Sequence, residues 1–288
     1  MHFNKYRYPL LSLASFLILI NLQCKKEKIN DDTYFGSKVI ILGHHGIGAY
    51  YKIPSNTYES VAPAIGIGAD GCEVDVHLTK DTALVLYHTH LLNPHTTCNG
   101  SIYESTLEEV LQCKYYGFKN NVFVCSADEL FSKLPGLNNL YFSFDCKLDD
   151  DVPDIDLYRS QFIRAIKRLC DKYNMSEIVF LESLGPFLVK AKQMGLSNKL
   201  FLEGALSSSN IEFAINNSLF GISSQMDEIQ IENSDIAHKK GLRIMAYTPY
   251  NYSRNKNAIK RGIDLLETDD PASILKEFNR FNYDYIIP

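Results

Sequence analysis

Hydrophobic residues fall along this chain in short runs, separated by longer stretches with helical periodicity. The runs are five to eight residues each, at 39–44, 71–76, 140–147, 177–182, 199–203, 221–225, 243–248 and 264–268. Between them, 57–65, 157–173, 186–194, 209–216, 233–240 and 255–261 carry the amphipathic spacing of surface helices. Gly66, Gly195, Gly241 and Gly262 stand where a helix is expected to stop. Strand and helix in alternation predict an α/β fold with parallel strands, and eight such strands predict a (β/α)8 TIM barrel.

One run breaks the alternation. Residues 84–88 follow the second strand too closely for a crossover helix, because parallel neighbours need about a dozen residues between them. The run must therefore return antiparallel, as a β-hairpin turning near Lys80-Asp81, which sets His88 beside Asp75. Residues 91–139 then form a small excursion rich in Asn, Thr and Tyr, with helical pieces at 106–113 and 126–134, covering the mouth or one side of the barrel.

The N-terminus has a different character. Lys5 and Arg7 precede an uncharged apolar run of 14 residues, 9–22. That is short of the roughly 20 residues a membrane span needs and matches a secretion signal. Cys24 and a polar stretch follow, an arrangement that resembles a bacterial lipoprotein signal, although Gln23 replaces the small residue usual before the cysteine. The expected organisation is a signal peptide at 1–23, a polar tether at 24–37 and one barrel domain at 38–288. The protein would be exported to the cell envelope and held at a bacterial membrane by a lipid on Cys24.

Composition narrows the chemistry. With 45% hydrophobic and 22% charged residues the chain can bury a sizeable core. Its net charge of −5 gives no general attraction for phosphate backbones, so nucleic acid is not an expected partner. An anionic substrate would need local compensation, which favours a bound cation. Export permits disulfides, and Cys98 with Cys113 could be stapled, whereas Cys72 and Cys146 lie in apolar strands as small buried residues. No C-x-x-C occurs, which argues against structural zinc.

Polar residues gather at the ends of the first three strands, where barrel active sites lie. His44 closes the first, Glu73 and Asp75 share a face of the second, and Asp145 and Lys147 share a face of the third. In sequence, His44-His45-Gly46 is followed by Asn56-Thr57, Ser60, Gly68-Ala69-Asp70, Glu73-x-Asp75, Thr79-Lys80-Asp81 and Tyr87-His88. This order and spacing resembles the glycerophosphodiester phosphodiesterase family, with its HRG, PENT-like, GAD, E-x-D, TKD and HD segments. The likeness continues through Asp145-Cys146-Lys147, Ala246-Tyr247-Thr248 and Thr268-Asp269-Asp270-Pro271.

The resemblance implies metal-dependent hydrolysis of a glycerophosphodiester or lysophospholipid to glycerol phosphate and an alcohol. Glu73, Asp75 and Asp145 would hold Mg2+ or Ca2+, His44 and His88 would act as general acid and base, and Lys147 would donate to a phosphate oxygen. His45 and Tyr247 would face the substrate. Five positions depart from the family pattern: His45 replaces arginine, Thr82 replaces the glycine of the hairpin turn, Thr89 replaces aspartate, Asp145 replaces glutamate and Tyr247 replaces tryptophan. Two other readings stay open: a zinc hydrolase using His88 and His90, and a cell-surface binding protein on a divergent barrel. Glu182, Glu203 and Gln225 also end strands, without a motif to support them, and Asp149-Asp150-Asp151 reads as a solvated loop.

Overall fold

The computed structural model describes residues 29–47, 51–118 and 121–287. The expected signal peptide and Cys24 anchor lie outside the described residues, and among these no helix is long and apolar enough to cross a membrane. The barrel is formed by β1 (Ile40–Gly43), β2 (Gly71–Leu78), β5 (Tyr141–Cys146), β6 (Val179–Ser183), β7 (Lys199–Glu203), β8 (Gly221–Gln225), β9 (Arg243–Tyr247) and β10 (Leu265–Thr268). These eight are parallel in sequence order around the ring, and β1 pairs with both β2 and β10, so the sheet closes on itself. Two short strands, β3 (Leu84–Leu86) and β4 (Cys125–Ser126), extend the far end of β2 as an antiparallel flap. The fold class read from the sequence is the one observed.

Helices fall where the periodicity places them, with ends shifted by a few residues, for example Ile155–Tyr173 and Ile231–Lys239. A final helix, Pro271–Glu277, was not apparent in the pattern; Asp270 caps it by accepting from Ser273 N at 3.2 Å. Gly195, Gly241 and Gly262 adopt the left-handed conformation expected just past a helix, whereas Gly66 is the last helical residue itself.

Alternation along the strands builds the barrel interior in layers. Leu42, Phe180, Phe201, Met245 and Leu265 pack together as a hydrophobic plug. Two residues further along the same faces, the inward positions become Glu182, Glu203, Tyr247 and Glu267, which line a small cavity with Glu73 and Asp145. A sealed apolar floor thus supports a polar mouth at the C-terminal strand ends.

The hairpin register differs from the expected one by a residue. Val76 pairs with Leu86, and Tyr87 N donates to Asp75 O at 3.1 Å, so Tyr87 rather than His88 stands opposite Asp75. The turn is centred on Asp81, and Thr82 takes a left-handed φ of 64° where glycine is usual. β3 ends at Leu86 and the chain leaves the ladder, which still brings His88 to Asp75. The excursion has its own core of Val85, Tyr87, Leu92, Ile102 and Val110, and the Cys98–Cys113 disulfide staples it. Cys72 and Cys146 are buried free thiols, as expected.

Candidate active site

The acids come first, because strand geometry fixes them. Glu73 and Asp75 rise from one face of β2, and the β2–β5 register sets Asp75 level with Asp145. One ligand oxygen from each of Glu73, Asp75 and Asp145 lies within 4.8 Å of the others. Glu73 and Asp75 are 2% and 0% exposed, and Glu73 Oε1 has no hydrogen-bond partner. Buried carboxylate oxygens are costly unless neutralised, so these residues fit a hard divalent cation. Asn56 fixes Asp75 from both sides: its Nδ2 donates to Asp75 Oδ2 at 2.6 Å, and its Oδ1 accepts from Asp75 N at 3.0 Å.

Lys147 ion-pairs with Asp75 Oδ1 at 2.9 Å and with Asp145. Burial opposes its charge, but the two carboxylates outweigh burial and raise its pKa, so the ammonium stays protonated. Burial also works against ionisation of Asp75, and His45, Lys147 and His88 together hold its pKa well below the usual carboxylate range.

His44 continues β1, its backbone N–H donating to Thr268 O on β10 at 3.0 Å. Its Nδ1 lies 2.7 Å from Asp269 Oδ1. An ionised carboxylate only accepts, so Nδ1 carries the hydrogen and Nε2 is left for chemistry, 4.0 Å from Glu73 Oε2. Burial pushes Asp269 up, and the hydrogen bond to His44 more than reverses this, leaving its pKa lowered.

His45 does not reach outward. Its φ is 55°, its N–H donates to Glu73 Oε2 at 2.9 Å, and its carbonyl accepts from Asn56 N and from the Ser60 hydroxyl. That clamp turns the ring inward, with Nδ1 2.7 Å from Asp75 Oδ2 and 3.2 Å from Glu73 Oε2. The following Gly46 has no room for a side chain, since a Cβ there would lie 1.8 Å from Ser60 Oγ. Burial disfavours charge on His45, yet the Asp75 and Glu73 carboxylates hold its pKa well above the imidazole norm. The ring is thus cationic when only the carboxylates face it.

His88 stands at the open side, its ring 5.3 Å from that of His45. Burial lowers its pKa despite the nearby Asp75, so it is largely neutral near pH 7. His90 instead meets the buried His77, with ring centroids 5.2 Å apart, and joins no group of three potential ligands among the described residues. That leaves the pairing of His88 with His90 without a ligand set. Tyr247 and Glu203 share the small cavity with His44, and burial followed by Glu203 pushes the tyrosine up to about 12. Gln225 is exposed at the end of β8, and Asp149 sits in a loop with its N–H donating to Tyr158 Oη at 3.3 Å.

Three residues act here beyond the sequence assignment: Asn56 as the brace of Asp75, Asp269 as the partner of His44, and Glu267 beside Glu182 inside the barrel. Asn56 and Asp269 lie in recognised segments, so the signal was present but their partners were not. Glu267 carried no signal except a charge inside an apolar strand.

A (β/α)8 barrel that gathers three carboxylates, a lysine and three imidazoles at the C-terminal ends of its strands has the architecture of a barrel hydrolase. The chain matches the glycerophosphoryl diester phosphodiesterase family over residues 44–273 and belongs to that family; it is a phosphoric diester hydrolase. It is 26% identical over 250 residues to a glycerophosphodiester phosphodiesterase of Caldanaerobacter subterraneus subsp. tengcongensis, covering 83% of this chain and 97% of the relative. A putative family member from Silicibacter pomeroyi superposes with a TM-score of 0.74 at 18% identity, covering 84% of this chain and 93% of the other. An Oleispira antarctica phosphodiesterase, solved with its product sn-glycerol-3-phosphate, superposes with a TM-score of 0.69 at 18% identity, covering 83% and 96%.

Proposed function

We propose that the protein hydrolyses glycerophosphodiesters to glycerol phosphate and an alcohol at a site built on Glu73, Asp75, Asp145, His44, His88 and Lys147. The observation that carries the reading is the convergence of three carboxylates within 4.8 Å beside an imidazole held by Asp269. Glu73, Asp75 and Asp145 would hold a divalent cation, which when bound neutralises charge on the phosphoryl oxygens. Lys147, permanently charged and fixed between Asp75 and Asp145, presents its remaining donor capacity to a phosphate oxygen. The two histidines move protons: one takes a proton from the water whose oxygen bonds to phosphorus, and the other supplies one to the alcohol oxygen as its bond to phosphorus breaks. For His44 the working atom is Nε2, because Asp269 occupies Nδ1. His88 lies at the mouth of a cleft of about 540 Å3, shared with Asn56, Tyr87, Tyr115 and Phe118, that can receive the rest of the substrate. The product bound to the Oleispira relative agrees with glycerol phosphate as the retained fragment. The basic, apolar and cysteine-bearing N-terminus supports an exported protein with a lipid anchor on Cys24.

The test is release of glycerol phosphate from glycerophosphocholine and glycerophosphoethanolamine, assayed with EDTA, Mg2+, Ca2+ or Zn2+. Cation-dependent turnover lost in His44→Ala and Asp75→Asn supports the reading. Turnover that survives EDTA, or that His44→Ala leaves intact, refutes it. For the anchor, radiolabelled palmitate incorporation that persists in Cys24→Ser would exclude Cys24 as the lipidated residue.

A further inference from the structure

The ring of His45 lies where the ligands of a cation would meet. Its Nδ1 is 2.7 Å from Asp75 Oδ2 and 3.2 Å from Glu73 Oε2, yet this buried nitrogen has no acceptor placed along its N–H direction. It therefore sits close to both oxygens without a proper hydrogen bond to either. Neighbouring ligands on one dication, each about 2.0–2.2 Å from it, stand roughly 3.0–3.5 Å apart. The two separations at His45 fall within a few tenths of an ångström of that spacing.

The backbone explains why the ring is there. Glu73 holds the His45 N–H, Asn56 and Ser60 hold its carbonyl, and the left-handed φ directs the side chain down onto β2. On the opposite side, Asp145 has a shorter side chain than the family's glutamate and is engaged by Lys147. His88 also offers a nitrogen within 4.8 Å of His45 and Asp75. Two carboxylates with one or two imidazoles make a mixed oxygen and nitrogen donor set. Oxygen-only sites suit Mg2+ and Ca2+, whereas imidazole favours Zn2+ and its transition-metal neighbours.

We propose that His45 is a nitrogen ligand of the cation held by Glu73 and Asp75, and that the centre consequently selects Zn2+-like dications over Mg2+ and Ca2+. The inference rests on the cation reading of the site and concerns which cation the site prefers. The arginine usual at this position could not serve as a ligand, because its guanidinium stays protonated. The exchange of arginine for histidine is thus a change in coordination chemistry.

The test uses the purified full chain stripped of metal, with Zn2+, Co2+ and Mg2+ as probes. We expect Zn2+ to bind at least 100-fold more tightly than Mg2+. His45→Gln should weaken Zn2+ about 10- to 100-fold, as losing a ligand or its support does, and alter Mg2+ binding less than threefold. The Co2+ form should show a paramagnetically shifted, solvent-exchangeable imidazole N–H that His45→Gln removes. Should that variant fail to fold, the wild-type spectrum still decides, because absence of any shifted imidazole N–H overturns the proposal. Equal affinity for Mg2+ and Zn2+, or unchanged Zn2+ affinity in His45→Gln, overturns it as well. Failure of every dication to bind would instead remove the cation reading itself, with Asp75→Asn as the reference for a lost site.

Discussion

Replacing Asp269 by asparagine removes the charge that holds His44 while keeping the side-chain shape. The bond it weakens is 2.7 Å long, with an ionised acceptor that a neutral amide oxygen replaces. Such charge-assisted bonds contribute roughly 1.5–3 kcal/mol net. The Asp269 side chain is 27% exposed, so solvent screening places the effect in the lower part of that range, about 1.5–2 kcal/mol. If the bond serves to present Nε2 of His44, that loss appears in kcat as about a 10- to 30-fold decrease, with KM little changed. The assay is steady-state release of choline from glycerophosphocholine by the wild type, Asp269→Asn, His44→Ala and the double variant. Because Asp269 acts through His44, the double variant should be no slower than His44→Ala alone. Additive losses in the double variant, or a change confined to KM, would refute the reasoning.

Three further expectations follow from other parts of the molecule. Burial and its neighbour Glu182 hold Glu267 well above the ordinary carboxylate pKa. Folding then retains a proton that the unfolded chain releases, and stability falls as pH rises from the ordinary carboxylate value toward the folded one. Glu267→Gln should accordingly raise the melting temperature at pH 8 and change it little near pH 4; an equal shift at both would contradict this. Cys98 and Cys113 close a loop with a sequence separation of 15, for which chain entropy suggests about 3 kcal/mol. Replacing both with serine should lower the urea midpoint, and an unchanged midpoint would show that the excursion core suffices without the staple. At Gly71 an added Cβ would stand 1.7 Å from Tyr141 O, where β2 meets β5. Gly71→Ala should therefore leave little folded protein by circular dichroism, and a normal spectrum would mean that the two strands can part.

Most of the barrel was legible because each of its strands is buried and reads as a short apolar run. Alternation along the strands sets Glu73 with Asp75 and Asp145 with Lys147 from the sequence alone. What escaped depends on contacts between distant segments or on single backbone angles. Thr82 marked the turn as unusual, but the register depends on its left-handed backbone angle, which no local pattern specifies, and Tyr87 rather than His88 pairs with Asp75. His45 was visible as an exchange for arginine, but its inward turn depends on Asn56, Ser60 and Glu73 meeting around one peptide. Asp269 is 225 residues from His44 in the chain, a separation over which no local pattern carries information.

That separation has a consequence for how the enzyme comes to life. β1 and β10 are the first and last strands of the barrel, and their junction is the seam at which Gly43 pairs with Thr268. His44 and Asp269 are the next residues on each side of that seam. A nascent chain that has not yet delivered β10 can assemble the carboxylates of β2 and β5, but it has no partner for His44. Turnover should therefore begin only when the ring shuts. During refolding, the return of activity would time the closing of the seam itself, separately from the recovery of helical signal.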